Sequence, residues 1–445
     1  MLRSYLYHWL KRTRLENVFT PGKIATINYL NRIELEKRVQ KAFITPGVQL
    51  IVYGHSGSGK TTLVRNILGR NKVLFVRTQC DKDMRFEDLI LNAFDYLNKY
   101  YVSEKTTKRS MKISRSVKTD CELIASEISQ VNEVSSEQRV HRLLPPRLTA
   151  QRLAQLFRSI GIVWQIEDFH KLVKEEKQKL ADVLKIFVDE SNDAKLNHVC
   201  KIICIGAVNS PRELLSLDTN LSTRVDQIKV PLLTDVEIKE IIVNGCKILN
   251  VDMSKELSDN LVSYSNNIGA LAHSMCYDIC YEAKIKRTIL FREKIKDTSF
   301  NTAIQGYIDK NSDTFKQTYD LITAKNKTAW YILKSLNMHG KESISFQKLR
   351  KRINPKTQEI TDSDILNALD DLQKPPYSII RFDEDAKKYS FSTPFWKAFI
   401  RIQMDIEQAE VSKKKKINNA LLMDQNNFES MILNVLYQRI NQLKQ

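Results

Sequence analysis

A glycine-rich segment, residues 54–62, constrains the possible folds of this chain more than any other feature. It reads Gly-His-Ser-Gly-Ser-Gly-Lys-Thr-Thr and fits the pattern G-x-x-x-x-G-K-[ST]. An apolar, β-branched stretch precedes it at residues 48–53, and a helical pattern follows it and is predicted to end at Gly69. Glycine is scarce, with 12 residues in 445, so a chance match with these flanks is a rare event. The sequence therefore predicts a strand, a phosphate-binding loop and a helix.

The residue types of this segment fit the binding of a nucleotide phosphate. Glycines let backbone N–H groups turn towards an anion without Cβ clashes, and the helix N-terminus adds partial positive charge. The lysine is expected to reach the β- and γ-phosphates, and the threonine after it is expected to place its hydroxyl on Mg²⁺. The predicted nucleotide-binding residues of the loop are Gly54, Ser56, Gly57, Ser58, Gly59, Lys60, Thr61 and Thr62.

Two adjacent acids, Glu167 and Asp168, follow an apolar stretch at residues 161–166. At a strand end beside a phosphate-binding loop, one carboxylate holds the Mg²⁺ shell, and the next orients or deprotonates the attacking water. Counted from the strand, Glu167 takes the metal position together with Thr61, and Asp168 takes the position of the base. The alternative is that both acids cap the helix that follows.

Strand patterns alternate with helical patterns through the first half of the chain, which predicts a parallel α/β sheet. Further strands are predicted at residues 72–77, 199–205 and 227–231. Ligands bind such sheets at the carboxyl ends of the strands. Asn209 follows the fourth strand and is therefore expected to converge with the loop and the two acids.

Helical patterns at about 234–248, 254–265 and 269–283 predict an all-α lid after the sheet. Three helices and a wing-like hairpin beyond it predict a winged helix. The predicted parts of the chain are a basic helical arm at 1–46, a core at 47–232 with an insertion at 102–146, a helical lid at 233–310, a winged-helix domain at 311–408, and a basic linker with a C-terminal helix at 409–445.

The first 20 residues interleave basic and aromatic side chains and contain no acid before Glu16. We interpret them as a short amphipathic helix. Such a helix either docks on a partner or on nucleic acid, or folds back on its own domain.

The net charge of +18 favours an anionic partner, nucleic acid first, although excess lysine could serve solubility alone. No apolar run approaches the length of a membrane span, and the N-terminus lacks a signal-peptide core, so no membrane contact and a cytoplasmic location are expected. The seven cysteines are scattered without a C-x-x-C pair, so we expect buried thiols rather than a metal site or disulfides.

The charges of the predicted winged helix argue against ordinary groove reading of DNA. Its third helix carries four aspartates between residues 362 and 371, which would face a polyanion. Its second helix, within residues 345–352, is basic instead. Contact with a protein is therefore an equal alternative. If DNA is bound, its phosphates are expected to be contacted by the second helix, the insertion and the termini.

The layout from about residue 30 to 405 resembles AAA+ ATPases, in particular the origin-recognition-complex and STAND branches. This resemblance implies ATP as the nucleotide, and the chain lacks the N-K-x-D guanine-reading motif. By position, Asn209 resembles the family's sensor residue. Arg224, shortly before the last strand, resembles the arginine finger that acts on a neighbouring subunit. Arg212 competes for that role, and a surface salt bridge is the alternative role for Arg224.

Two departures from the family pattern concern the acids and the lid. Relatives carry Asp-Glu or Asp-Asp where this chain has Glu167-Asp168, and the shorter base predicts slow hydrolysis. The lid sequence at residues 267–273 has neither the family's sensor arginine nor a G-L-P-L motif. His273 stands in that region as a candidate phosphate contact, with a core histidine as the alternative.

These features favour an ATP-driven switch that couples nucleotide state to homo-oligomerisation or to a protein partner. From the family resemblance, a sensor or effector-controlling ATPase in prokaryotic antiphage defence is expected, with a separately encoded effector. The first alternative is a DNA-loading ATPase that resembles replication initiators or transposition regulators. The second is a scaffold that binds ATP without useful turnover.

Overall fold

The computed structural model describes residues 11–106, 119, 121–128, 145, 147–192, 200–207, 210–338, 343–353, 360–383 and 387–412. The chain divides into two compact units, Met1–Phe300 and Asn301–Gln445. Most of the predicted insertion, the lysine run near residue 413 and the predicted C-terminal helix lie outside the described residues.

The first unit is built on a five-stranded sheet in the order β2-β3-β4-β1-β5, and each neighbouring pair is parallel. This result confirms the predicted α/β fold class. Every residue of β3 and β4 is buried, because helices cover both faces of the sheet. The strands are β1 (Gln49–Tyr53), β2 (Leu74–Gln79), β3 (Ile162–Glu167), β4 (Lys201–Gly206) and β5 (Val225–Lys229).

Helices and short helical turns surround this sheet and close its two hydrophobic clusters. One cluster joins α4, α5 and α6 to one face, and the other joins α2 and α3 to the opposite face. The helices of this part are α1 (Leu15–Val18), α2 (Ile33–Ile44), α3 (Lys60–Arg70), α4 (Phe86–Thr106), α5 (Ala150–Ile160), α6 (Lys174–Ser191) and α7 (Ser210–Leu215).

The predicted end of α3 is wrong by two residues. Gly69 lies inside the helix, which runs to Arg70, and Asn71 is its C-cap. Gly69 does not adopt the left-handed conformation of a terminating glycine, because the N–H of Asn71 continues the helical pattern by bonding to the carbonyl of Ile67.

Three helices, α8 (Asp235–Leu249), α9 (Lys255–Ser265) and α10 (Gly269–Glu282), follow the sheet. They begin and end within one residue of the predicted bounds. Thr234 and Glu237 form a capping box at the start of α8, and a serine caps α9. The short strand β6 (Val251–Asp252), between α8 and α9, pairs in parallel with β7 (Glu293–Lys294), which comes after α10. The next helix, α11, is Asp297–Lys310.

The predicted amphipathic helix over residues 1–20 is not continuous in its described part, and residues 1–10 lie outside the described residues. Lys11 is helical, Arg12 then takes a left-handed φ of 48° that interrupts helical continuation, and the four-residue helix α1 follows. Leu15, Val18 and Phe19 are buried against α8 and α10. The alternative that the arm folds back on its own domain is therefore confirmed for these residues.

The second unit contains helices and a three-stranded antiparallel sheet in the order β8-β10-β9. The predicted first helix is interrupted at Asn326, whose side chain caps α13. The order helix, strand, helix, helix, hairpin, helix is the one expected of a winged helix, and that assignment stays a prediction. The elements are α12 (Gln317–Lys325), α13 (Lys327–Asn337), β8 (Ser343–Ile344), α14 (Phe346–Ile353), α15 (Asp362–Gln373), β9 (Ile380–Asp383), β10 (Lys388–Phe391) and α16 (394–412).

The cysteines and the helices bear on two further expectations. All seven cysteines are free and buried, as predicted. In the part of the chain that is described, none of the helices is both long enough and apolar enough to span a bilayer.

Candidate functional site

A cavity of about 630 Å³ lies at the carboxyl edge of the parallel sheet in the first unit. Its volume is within the range of small-molecule sites. The parts of the chain that line it include the segment 20–32, the glycine-rich loop, the first turns of α3, the end of β3, and the start of α10. The loop and both predicted acids therefore meet, as the sequence predicts.

The backbone of the glycine-rich loop depends on its glycines. A Cβ on Gly54 would lie 2.2 Å from the main-chain oxygen of Val230. Gly57 and Gly59 adopt left-handed φ values of 77° and 89°, which a side chain would strain. Gly59 is the N-cap of α3, so the helix begins at Lys60 with its N-terminal N–H groups beside the cavity.

Lys60 is folded back over the loop that it follows. Its ammonium group donates to the carbonyl oxygens of Gly54 at 3.0 Å and His55 at 2.8 Å. Burial lowers the pKa of Lys60 from its ordinary value, and the nearby charge of Asp168 opposes that shift. The ammonium is therefore held at the loop by acceptors that a bound phosphate could replace.

Glu167 ends β3 as a buried carboxylate surrounded by cationic and amide donors. Its Oε2 lies 2.6 Å from a guanidinium nitrogen of Arg77 on β2, and its Oε1 lies 3.9 Å from Arg65 on α3. The side-chain amide of Gln165 also donates to Oε1. Arg65 rests over the ring of Phe75 at 4.9 Å. Sequence reasoning missed both arginines, and both line the cavity.

Asp168 lies directly beyond the end of β3 with a left-handed φ of 58°. Its Oδ2 accepts hydrogen bonds from the amide of Gln79 and from the ammonium of Lys171, each at 2.8 Å. Gln79 reaches it because β2 pairs with β3 and places Gln79 opposite Glu167. The carboxylate raises the pKa of Lys171 through this hydrogen bond.

The segment 20–32 forms a wall of the cavity that the sequence did not predict. Arg32 anchors it to the start of the lid by an ion pair of 3.2 Å with Glu237 and a hydrogen bond of 2.9 Å to the carbonyl of Pro231. Asn28 donates to the carbonyl of Ile241 on α8 at 3.0 Å. The segment begins with Thr-Pro-Gly at residues 20–22, a sequence typical of a turn, which does not by itself indicate a cavity wall.

His273 on α10 is buried at the rim between the lid and this wall. Its Nδ1 accepts a hydrogen bond of 3.2 Å from the backbone N–H of Thr20, so the neutral ring carries its proton on Nε2. Burial lowers the pKa of His273 to about 4. The residue lines the cavity and also packs edge-on against Phe19. It thus combines the predicted cavity position with core contacts.

The family model "ATPase family associated with various cellular activities (AAA)" matches residues 50–231, which span β1 to the end of β5. The chain contains an AAA ATPase domain. The matched range includes the glycine-rich loop, both acids and the strand order described above.

Solved structures that are similar to the chain have low sequence identity to it. The Walker-type ATPase of Pyrococcus abyssi is 13% identical with a TM-score of 0.52, over 85% of this chain and 98% of that one. Cdc6p from Pyrobaculum aerophilum is 14% identical with a TM-score of 0.44, over 90% and 99%. The ORC2 protein of Aeropyrum pernix is 13% identical with a TM-score of 0.46, over 90% and 100%. None of the curated proteins matches the sequence.

Arg224 lies outside the cavity of its own AAA domain. It follows a 3-10 turn at Thr219–Thr223, immediately before β5, and its guanidinium pairs with Asp189 at 3.3 Å. Its side chain is 39% exposed. These facts suit both the predicted role in a neighbouring subunit and the surface salt bridge. Asn209 lies outside the described residues, as does the side chain of Arg212.

The AAA domain thus presents a cationic loop and two carboxylates to one cavity. Main-chain N–H groups, Lys60 and the hydroxyls of Thr61 and Thr62 line the side suited to phosphate oxygens. Glu167 and Asp168 line the same cavity, and such carboxylates beside a phosphate-binding loop are the residue types that can hold Mg²⁺ and orient a water.

Proposed function

We propose that the chain is an ATP-binding, slowly hydrolysing molecular switch whose nucleotide state controls oligomerisation or capture of a protein partner. The observation that supports it best is the meeting of the glycine-rich loop, the acid pair and the lid around one cavity. A catalytic core alone would need only the first two parts. The lid would couple nucleotide binding to a movement of the rest of the unit.

The residues of the cavity fit a nucleotide triphosphate. Among the described residues, the buried hydroxyls of Ser58 and Thr20 have no hydrogen-bond partner, and both groups line the cavity. Buried polar groups are rarely left unsatisfied, so a ligand with oxygen or nitrogen atoms at this position accounts for them. A Cβ on Gly54 would collide with the main-chain oxygen of Val230, so glycine at this position lets the loop pass close to the end of β5.

The chain's own groups divide the work of hydrolysis. Lys60 would exchange its two carbonyl acceptors for phosphate oxygens. Thr61 and Glu167 would hold Mg²⁺, which when bound neutralises charge on the phosphates. The Asp168 carboxylate would orient a water and accept its proton. Asp168 has one methylene fewer than glutamate, so its carboxylate reaches less far into the cavity.

Slow turnover is supported by the contacts that both acids already make. Asp168 must lose or share its bonds to Gln79 and Lys171 before it can orient a water. Glu167 is engaged by Arg77 and Gln165. Each competing contact lowers the fraction of molecules that are ready to hydrolyse, which suits a timer rather than a motor.

The lid and arm provide a route from nucleotide to the rest of the unit. A Cβ on Gly269, the first residue of α10, would lie 4.0 Å from the carbonyl oxygen of Gly57 in the loop. His273, one turn further along α10, holds the backbone of Thr20 in the arm. Closure of α10 on a bound nucleotide would therefore move arm and lid together, exposing or covering a partner surface.

Substitution of Lys60 tests the proposal directly. Lys60→Ala should abolish binding of ATP measured by calorimetry, whereas Lys41→Ala, an exposed lysine on α2, should bind normally. Mass measurements of the wild-type protein with ATP, with ADP and without nucleotide should show a nucleotide-dependent assembly. Retained ATP affinity in Lys60→Ala would end the proposal. Phosphate release unchanged by Asp168→Asn would favour the scaffold that lacks useful turnover.

The biological setting is the part of the proposal that rests on resemblance alone. A role in antiphage defence requires a separately encoded effector that associates with the chain in one nucleotide state. Co-purification with the product of an adjacent gene, dependent on Lys60, is the expected result. A DNA-loading ATPase remains the rival, and ATP turnover stimulated by DNA with a steep dependence on salt would favour it.

A further inference from the structure

A second surface of the first unit, distant in sequence from the AAA core, carries concentrated positive charge. Residues 284–296, which we name the lid loop, contain six lysines and arginines and one acid. The cationic side chains are exposed throughout, whereas Ile285, Thr288 and Ile295 are buried and anchor the loop. The exposed cationic residues are Lys284, Lys286, Arg287, Arg292, Lys294 and Lys296.

The N-terminal arm extends this positive surface. Arg14 and Arg287 form an antiparallel bridge, and the backbone N–H of Thr288 donates to the carbonyl of Thr13 at 2.9 Å. The arm therefore runs alongside the lid loop, with Lys11, Arg12 and Arg14 exposed. Together the two strands of chain carry nine cations, which we name the basic face.

Two cations of the basic face form ion pairs with acids. Arg14 pairs with Glu16 at 3.6 Å, and Arg292 pairs with Asp252 at 2.5 Å. In the described ranges of the chain, no salt bridge engages Lys286, Arg287 or Lys294. An excess of positive charge on an ordered backbone favours the binding of a polyanion, because a polyanion reduces the repulsion among the cations.

The tip of the lid loop exposes apolar side chains among these charges. Phe291 is 84% exposed and Leu290 is 51% exposed. The amide of Asn250 donates to the carbonyls of Ile289 at 3.1 Å and Leu290 at 3.2 Å, which fixes the backbone that carries them. The fold thus uses specific hydrogen bonds to hold an aromatic ring in solvent.

We propose that the basic face binds single-stranded nucleic acid, with cations on the sugar-phosphate backbone and Phe291 stacked on an unpaired base. An exposed aromatic ring flanked by cations provides both parts of such recognition, because every base has a face for stacking and every nucleotide has one phosphate. A duplex would satisfy the cations but would keep its bases stacked away from the ring. The proposal concerns a different surface from the nucleotide cavity and is tested without nucleotide.

Anisotropy of a labelled oligothymidylate about 20 nucleotides long, with no ATP present, measures the binding. The double variant Lys286→Glu/Arg287→Glu should weaken it by about tenfold or more and flatten its dependence on salt. The matched control Arg38→Glu/Lys41→Glu makes the same charge change on exposed residues of α2 and should change the affinity less than about twofold. Lys286→Gln/Arg287→Gln provides a milder version, and unchanged thermal melting of each variant shows that it is folded.

Phe291→Ala distinguishes stacking from charge alone. It should weaken binding of the single strand by about tenfold and leave a duplex of the same length unaffected. Equal binding of wild type and the double glutamate variant would overturn the proposal. The proposal would also be overturned if Phe291→Ala weakened binding of the single strand and of the duplex equally. Binding of phosphatidylserine vesicles by a protein that does not bind the oligonucleotide would overturn it as well. Because Lys60→Ala should leave this binding intact, failure here and failure of the nucleotide site give different results.

Discussion

The guanidinium of Arg77 on β2 lies 2.6 Å from the buried carboxylate of Glu167 on β3. The pair is made possible by the sheet order, which places β2 directly beside the strand that carries the acids. Glu167 is the group proposed to hold a divalent cation, and Arg77 engages the same carboxylate. Arg77 and Mg²⁺ should therefore compete for Glu167.

Arg77→Met tests this competition. Removal of the arginine leaves the Glu167 carboxylate, which is 7% exposed, with less positive charge around it. In a buffer without divalent ions, the free energy of unfolding should therefore fall by about 1 to 2 kcal/mol. Mg²⁺ with ADP should then raise the melting temperature of Arg77→Met more than that of wild type, relative to ADP alone. Arg38→Met, at an exposed position of α2, is the control. An equal Mg²⁺ increment in both proteins would show that Arg77 does not compete with the metal.

Gly54→Ala tests the close approach of the loop to the sheet. The new Cβ would lie 2.2 Å from the oxygen of Val230. That oxygen belongs to the backbone, so it cannot move away by a change of side-chain rotamer. The loop must shift, so ATP affinity measured by calorimetry should fall by about a hundredfold or more, which is about 3 kcal/mol. Gly69→Ala is the matched control, because nothing lies within 4 Å of its Cβ and alanine favours the helix by about 1 kcal/mol. Normal ATP affinity in Gly54→Ala would contradict the cradle geometry.

The sequence predicted those parts of the site whose signals are local. The glycine pattern identified the loop, and an apolar strand followed by two acids identified Glu167 and Asp168. The lid helices were predicted within one residue from their helical patterns, and the structure shows that Thr234 and Ser254 cap two of them. Each of these signals depends on neighbours a few residues apart along the chain.

The parts that sequence reasoning missed depend on strand order and tertiary packing. Arg77 and Gln79 alternate with buried residues on β2 and look like the outward face of an edge strand. Only the pairing of β2 with β3 brings them to the acids. The helix predicted over residues 1–20 does not continue through residues 12–20, because Leu15, Val18 and Phe19 pack against α8 and α10 in a broken conformation.

The hydrogen bond between His273 and Thr20 predicts a pH-dependent stability. Burial lowers the pKa of His273 to about 4 in the folded protein, against an ordinary value of 6.5 in the unfolded chain. Between these two pH values the folded state binds fewer protons than the unfolded state. The contribution of His273 to the free energy of unfolding is therefore fully present above pH 6.5 and is lost as the pH falls towards 4. The total is roughly 3 kcal/mol. His273→Gln should remove this dependence, so the difference in unfolding free energy between wild type and variant should shrink on acidification. A constant difference would show that His273 titrates normally.

Arg224 provides the test of function between subunits. Because it lies outside its own cavity and is partly exposed, Arg224→Ala should bind ATP with wild-type affinity but hydrolyse it about tenfold to a thousandfold more slowly. Asp189→Ala removes the same salt bridge while keeping the arginine, and should retain turnover. The most direct test mixes the Arg224→Ala and Lys60→Ala proteins. The Lys60→Ala protein keeps Arg224 but should not bind ATP, so any gain in turnover comes from its arginine acting on ATP bound to the Arg224→Ala protein. Turnover should rise on mixing above the sum of the two separate proteins. If mixing has no effect, or if Asp189→Ala is equally slow, Arg224 acts through its salt bridge within one chain.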